Sequence, residues 1–281
     1  MKLIGIGDAV VDYYKDQDVF YPGGSVVNVA VFAKQNGAEE AAYLGIVGLD
    51  KEGDHLLDSL KKENVDTSRV RRVLGPTGEA VVTLNEEGDR VFIGTNKDVR
   101  VQSLVSIQIN ELDLAYIQQF DIVHATISLN SGIEEQLGKL AGKEISFDFS
   151  SSEYWDMDYV KKVAPYLNYA FFSGSDLTES EITDLIQSVH DLGVEVVGVT
   201  RGAEPAIFSK NGQYYLQRPI ETDVLDTMGA GDSFIGAFLC HYFEKRNMEA
   251  ALEQAAKFAS KVCQYYGAFG HGRIKDLLSN V

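Results

Sequence analysis

The segment Asp226-Thr-Met-Gly-Ala-Gly-Asp232 combines two glycines with two carboxylates at a spacing that suits phosphate chemistry. Gly229 and Gly231 carry no Cβ, so the backbone N–H groups of the loop can approach an anion closely. The apolar run Ser-Phe-Ile-Gly-Ala-Phe-Leu-Cys240 behind them predicts a helix. Its unpaired first-turn N–H groups and positive dipole end favour negative charge at the helix mouth, including charge that develops on a transferring phosphoryl group. Asp232 falls at or near the first residue of that helix. A second negative charge would hinder simple phosphate binding, but it has a use if it accepts a proton from an attacking hydroxyl. Taken alone, Gly-Ala-Gly-Asp reads as a turn with an N-cap. The preceding Asp226-Thr227 and the long apolar helix narrow that reading.

Other elements must bring an acceptor to this cradle. Leu3 to Gly7 predicts a short buried strand with Asp8 at its carboxyl end, the end at which open α/β sheets bind ligands. Asp12 belongs either to the same site or to an exposed turn. Gly23-Gly24-Ser-Val-Val-Asn28-Val-Ala30 opens a helix to about Asn36, closed by Gly37. The glycine pair lets a sugar lie against backbone, and the Asn28 amide can both donate to and accept from hydroxyls.

Further along, a strand is expected over Ala41–Gly48 and a helix over Gly53–Glu63. Glu79–Leu84 and Arg90–Ile93 flank Asn85-Glu-Glu-Gly-Asp89 as a β-hairpin, a candidate lid on which Arg90 alone reads as a solvated hairpin residue. The α/β rhythm then returns. It gives a helix from Glu111, a strand over Asp121–Ile127, a helix near Ile133–Leu140 and a strand over Glu144–Phe149. A strand over Ala170–Ser173, a helix over Glu179–Leu192, a strand over Val194–Thr200 and a second hairpin around Lys210-Asn-Gly212 follow, and a long helix over Glu249–Tyr265 closes the pattern. His124 sits in an apolar run as a core histidine, and Asp148 stands at an aromatic-flanked strand end, site-facing or simply buried.

The 281 residues are 45% hydrophobic, ample for one large α/β domain with a small appendage. A formal charge of -17 argues against nucleic acid or an anionic membrane as the main partner. Cys240 and Cys263, both in apolar helix-like segments, offer neither a disulfide framework nor a metal-ligand spacing. No stretch approaches the ~20 apolar residues of a membrane span, and a cytoplasmic protein is expected. Walker, zincin and nucleophile-elbow patterns are absent.

Gly-Gly-x-x-x-Asn-x-Ala and, roughly two hundred residues later, Asp226-Thr-Met-Gly-Ala-Gly-Asp232 resemble in order the two signatures of the ribokinase-like (PfkB) sugar kinases. The resemblance spans essentially the whole chain. It implies a single domain, 1–281, with a three-layer α/β/α fold, a mostly parallel sheet, and lid strands from about 11–21 and 77–96. It also implies a phosphotransferase using ATP and Mg2+. Asp232 would be the catalytic base and the Gly229, Ala230 and Gly231 backbone the anion hole. Asp8, Asp12, Gly23, Gly24, Asn28 and Arg90 would meet the sugar, and Thr200, Gly202, Gly229 and Gly231 the nucleotide.

Asp226 matches the position that the family associates with a monovalent cation, with K+ as the candidate. Gln264–Ala268 matches the adenine region, and the lid can also form a homodimer contact. The chain departs from the family in having Ser173-Gly-Ser-Asp176 for an Asn-x-x-Glu, and Pro205 for the second glycine after Thr-x-Gly. Ile6-Gly-Asp8, Asp12, Asp121–Ala125, Phe147–Ser150, the second signature and Gln264–Ala268 most resemble the fructoselysine 6-kinases, whose acceptor is O6 of a fructose-amino acid. Fructokinase, ribokinase and 2-keto-3-deoxygluconate kinase activities, or a non-catalytic sugar- or nucleotide-binding regulator, are the alternatives.

Overall fold

The computed structural model describes residues 1–85, 90–128 and 132–275, the Arg90 side chain excepted. The first half of the chain contains strands β1 (Lys2–Ile6), β2 (Val10–Tyr14), β3 (Val19–Gly23), β4 (Glu40–Leu44), β5 (Ile46–Gly48), β6 (Val65–Asp66), β7 (Arg71–Val73), β8 (Gly78–Leu84) and β9 (Arg90–Thr95). The second half adds β10 (Ile122–Thr126), β11 (Glu144–Ser151), β12 (Tyr169–Ser173), β13 (Val196–Arg201), β14 (Glu204–Lys210), β15 (Gln213–Gln217) and β16 (Arg273–Ile274). The helices are α1 (Ser25–Gln35), α2 (Lys51–Lys62), α3 (Val101–Leu104), α4 (Glu111–Ile117), α5 (Met157–Val163), α6 (Glu179–Asp191), α7 (Ala230–Lys245) and α8 (Met248–Val262).

Nine strands form the main sheet in the order β15-β14-β13-β12-β11-β10-β1-β4-β6. Every neighbouring pair from β6 to β13 is parallel, and β14 and β15 extend the edge antiparallel. Successive side chains on a strand point to opposite faces, so a strand covered on both sides must be apolar throughout. Leu3 and Ile4, Tyr43 and Leu44, and Phe171 and Phe172 divide in this way between two separate cores. Residues of α1, α7 and α8 fill the first core; Ile117 of α4, Val160 of α5 and Ile182, Ile186 and Val189 of α6 fill the second. This is a three-layer α/β/α arrangement with a mostly parallel sheet. A smaller five-stranded sheet, β16-β3-β2-β8-β9, is built from two segments near the start of the chain and one near its end.

Two local expectations are corrected. The strand expected over Ala41–Gly48 divides at Gly45, whose carbonyl accepts from Arg71 N at 2.9 Å; β5 leaves the main sheet to pair with β7. Ile133–Leu140 forms two short 3-10 turns, Ile133–Glu135 and Leu137–Leu140, in place of one helix. Gly138 weakens a continuous helix there, and the buried Gln136 side chain turns aside to accept from Ile109 N at 3.2 Å. β16, only two residues long, carries no sequence signal. Among the described residues, no helix is long and apolar enough to cross a membrane.

Candidate active site

The carboxyl ends of β1 and β11 and the N-termini of α1 and α7 meet in one place. α1 begins at Ser25 behind Gly24, whose φ of 105° is left-handed. A Cβ on Gly24 would come within 3.0 Å of Ala9 Cα, and one on Gly23 would meet Asp12 Oδ2 at 2.0 Å. The glycine pair therefore lets the helix mouth nest against the segment carrying Asp8 and Asp12. Asp12 is buried there beside Gly23.

Asn28, one turn into α1, donates from Nδ2 to Asp232 Oδ2 at 2.7 Å. Asp232 is the third residue of α7, and the N-cap Gly229 is left-handed at φ 73°. The bond joins residues 204 positions apart and fixes the carboxylate at the helix mouth. Asn28 Oδ1 and Asp8 Oδ1 are buried and have no hydrogen-bond partner among the described residues. Buried acceptors of this kind call for donors, and hydroxyl groups of a ligand would supply them.

A second carboxylate shares the site. Asp148, partly exposed at the end of β11 but packed around by protein, accepts from Ser150 N at 2.9 Å and, weakly, from Ser25 Oγ at 3.5 Å. Ser25 and Asn28 lie three residues apart on one face of α1, so its first turn holds a carboxylate at each position. Ser150 has φ 60°, and the β11–β12 register shifts at this point. Burial, reinforced by the charge of Asp232, raises the pKa of Asp148 to about 7.

An acid raised in the folded state favours folding below its unfolded pKa, and that contribution is lost as pH rises through the folded value. Asp148→Asn should accordingly melt at a higher temperature than the parent at pH 8.5, by a free energy on the order of a few kcal/mol. The gain should shrink below pH 7 and vanish near pH 4; melting curves at the three pH values check it.

Asp8 stands beyond β1 with its carboxyl raised by burial, partly offset by Ser128 and Arg100. Ser128 Oγ donates to Asp8 Oδ2, and Arg100 Nη2 lies 3.4 Å from the same oxygen. Arg100 precedes α3, and its Nε donates to Ser103 Oγ at 3.1 Å. Neither Arg100 nor Ser128 stands in a recognisable motif, so sequence reading passes over both. Arg90, the residue expected to reach the substrate from the hairpin, begins β9, but its side chain lies outside the described residues.

Asp226 is fully buried. Its Oδ1 accepts from Met228 N at 2.9 Å, and its Oδ2 from Tyr14 OH at 2.6 Å and Gly267 N at 2.8 Å. Three of about four acceptor positions are thus in use, and a monovalent cation would have to share this carboxylate with them. Among the described residues, no group of three or more His, Cys, Asp or Glu side chains is arranged to hold a metal ion. Leu225 N and Asp226 N both donate to Cys263 O, which brings Gln264–Ala268 against the glycine loop.

Thr200 lies on β13, in register with Ser173 of β12, and its hydroxyl makes a long 3.5 Å bond to Phe172 O. Gly202 follows at φ 61°. The structure thus places Thr200 and Gly202 at the end of β13, whereas the Asn28–Asp232 pair is held by α1 and α7. His124 is a core residue: Nδ1 contacts Ser146 Oγ at 2.9 Å, and burial lowers its pKa to about 3.

The family model described as pfkB family carbohydrate kinase matches residues 2–270. Fructosamine kinase FrlD of Bacillus subtilis (strain 168) is 47% identical over 280 residues, covering 98% of this chain and 96% of the relative. Fructoselysine 6-kinase of Escherichia coli (strain K12) is 35% identical over 270 residues, covering 95% and 99%. The solved Arabidopsis thaliana ribokinase complexed with ribose and ATP superposes with a TM-score of 0.79 at 22% identity, over 96% of this chain and 95% of that one. A glycine-mouthed helix with a fixed carboxylate, set between strand ends of a parallel sheet, is thus found in a chain that belongs to the pfkB family of carbohydrate kinases.

Proposed function

We propose that the chain phosphorylates O6 of fructoselysine or a related fructose-amino acid, with ATP as donor. The carrying observation is Asp232, fixed in the first turn of α7 by Asn28 of the opposing helix. In this reading Asp232 receives the proton of the attacking hydroxyl, which remains within reach of Asp8 and Asn28. The N–H groups of the Gly229–Gly231 turn hold the oxygens of the transferring group. The turn fits that role, since a Cβ on Gly231 would meet no protein atom within 4 Å. Bound ATP would supply the phosphoryl group and its magnesium would neutralise the developing charge, with Thr200 and Gly202 on the nucleotide side. Positioning dominates such a reaction, so a carboxylate is an adequate base.

The two relatives named for fructosamine and fructoselysine favour a fructose-amine over a plain sugar. The Asp8–Arg100 pair agrees with them, because a fructose-amino acid carries an ammonium and a carboxylate that a neutral sugar lacks. A charge-assisted hydrogen bond contributes about 1.5–3 kcal/mol, so Arg100→Met should reduce the preference for fructosyllysine over fructose by roughly 10–100-fold in kcat/KM.

ADP release from Mg-ATP, measured with fructosyllysine, other fructose-amino acids, fructose, ribose and 2-keto-3-deoxygluconate, tests the reading. Preference for a fructose-amine supports it, and preference for a plain sugar overturns the substrate. Retained ligand binding with no turnover would make the chain a regulator.

In this reading the chain is one kinase domain acting in the cytoplasm, and the smaller sheet is its lid. Its edge strand β9 exposes Val91, Phe92 and Ile93 and is the proposed homodimer contact. Phe92→Lys should then shift the sedimentation profile from dimer to monomer.

A further inference from the structure

We propose that Tyr14 is a positioning residue that ties the smaller sheet to the anion-hole loop, so that sugar binding and donor binding favour one another. The inference rests on the kinase reading above and deepens it.

Tyr14 and Asp12 lie two residues apart on β2 and therefore share one face of that strand. Asp12 sits against Gly23 at the mouth of α1, while Tyr14 reaches the glycine loop. The Tyr14 hydroxyl and the Asp226 carboxylate are both buried and 2.6 Å apart, although 212 positions separate them in the chain. Through its other oxygen, Asp226 holds Met228 N, the amide just before the left-handed Gly229 that opens α7.

The tyrosine is itself confined. Its ring stands edge-on to Tyr21 of β3 at 4.9 Å and to Tyr266 at 6.5 Å. One strand thus connects a candidate sugar contact to the turn whose N–H groups face the phosphoryl group. A displacement of β2 on ligand binding would be passed to Asp226 and from there to Met228 and Gly229. Free-energy coupling between two sites is reciprocal, so the same link must strengthen sugar binding when the donor is bound. Tyr13 supplies an internal control, since its hydroxyl bonds Asp18 at 2.8 Å within the smaller sheet.

Tyr14→Phe removes the hydroxyl and retains the ring packing. Calorimetric titration of the full chain with Mg-AMP-PNP, with and without saturating fructosyllysine, reads the coupling. The parent and Tyr13→Phe should bind the nucleotide about 5–100-fold tighter when the sugar is present, and Tyr14→Phe should lose most of that factor. In steady state, Tyr14→Phe should lower kcat more than it alters KM for Mg-ATP.

Hydrogen exchange separates this from a folding defect. Sugar should protect the amides of residues 226–231 in the parent and leave them unprotected in Tyr14→Phe, while exchange in the main sheet stays the same in both. Full sugar-dependent tightening in Tyr14→Phe, or none in the parent, overturns the proposal. If the parent instead binds and phosphorylates another sugar, the substrate reading fails and the same titration with that sugar decides the link.

Discussion

Asp232→Asn is expected to lower turnover by about 10²–10⁴-fold, the range for loss of one general base. The substitution preserves shape, and an amide oxygen can still accept the 2.7 Å bond from Asn28 Nδ2. Folding and ligand affinities should therefore stay close to those of the parent, and the loss should fall on kcat. A matched loss in kcat and kcat/KM marks an interaction made only in the transition state. Single-turnover phosphoryl transfer checks it: a slow chemical step with unchanged nucleotide binding is the expected result. A variant that keeps the parental rate would place the base elsewhere, with Asp148 a second carboxylate in the site.

Gly231→Ala should cut turnover by roughly 10²-fold while leaving the melting temperature where it was, because displacing reacting groups by about 1 Å is enough for such a loss. Gly231 is exposed, has no left-handed φ, and would place its new methyl group in open space at the helix mouth. Protein packing is undisturbed, and under the proposed mechanism the methyl would meet the phosphoryl group.

Gly229→Ala makes the contrast. At φ 73° an alanine costs about 1–2 kcal/mol in backbone strain, and its Cβ would stand 2.6 Å from that of Ala268. That variant should lose both stability and activity. Thermal melts beside steady-state assays of the two variants separate a glycine kept for the ligand from one kept for the fold.

The second signature was readable because its constraints are local. A glycine-rich turn, an apolar helix and a carboxylate three residues into it follow one another in the chain, so their chemistry can be argued before any tertiary structure is known. The sheet is legible for a similar reason: strands such as Ala170–Ser173 are apolar up to the terminal serine, as burial on both faces demands. The glycine pair at 23–24 stands out in the sequence, yet part of its reason lies in packing, for Asp12 and Ala9 occupy the space that side chains would need.

Arg100, Ser128 and Tyr14 were not legible. An arginine before a four-residue helix and a tyrosine in a short strand carry no pattern; their partners Asp8 and Asp226 are distant in sequence and meet them only in the folded chain. The break at Gly45 is equally illegible, since the Gly45 carbonyl accepts from Arg71 N, a contact that sequence periodicity does not register.

Phosphorylation at O6 with Asp232 as base is tested by the NMR spectrum of the product formed from fructosyllysine and Mg-ATP by the parent and by Asp232→Asn. The expected product is a phosphomonoester on carbon 6 of the fructosyl group, formed by the parent and nearly absent with the variant. Phosphate on another hydroxyl, or equal product from both proteins, would contradict that assignment.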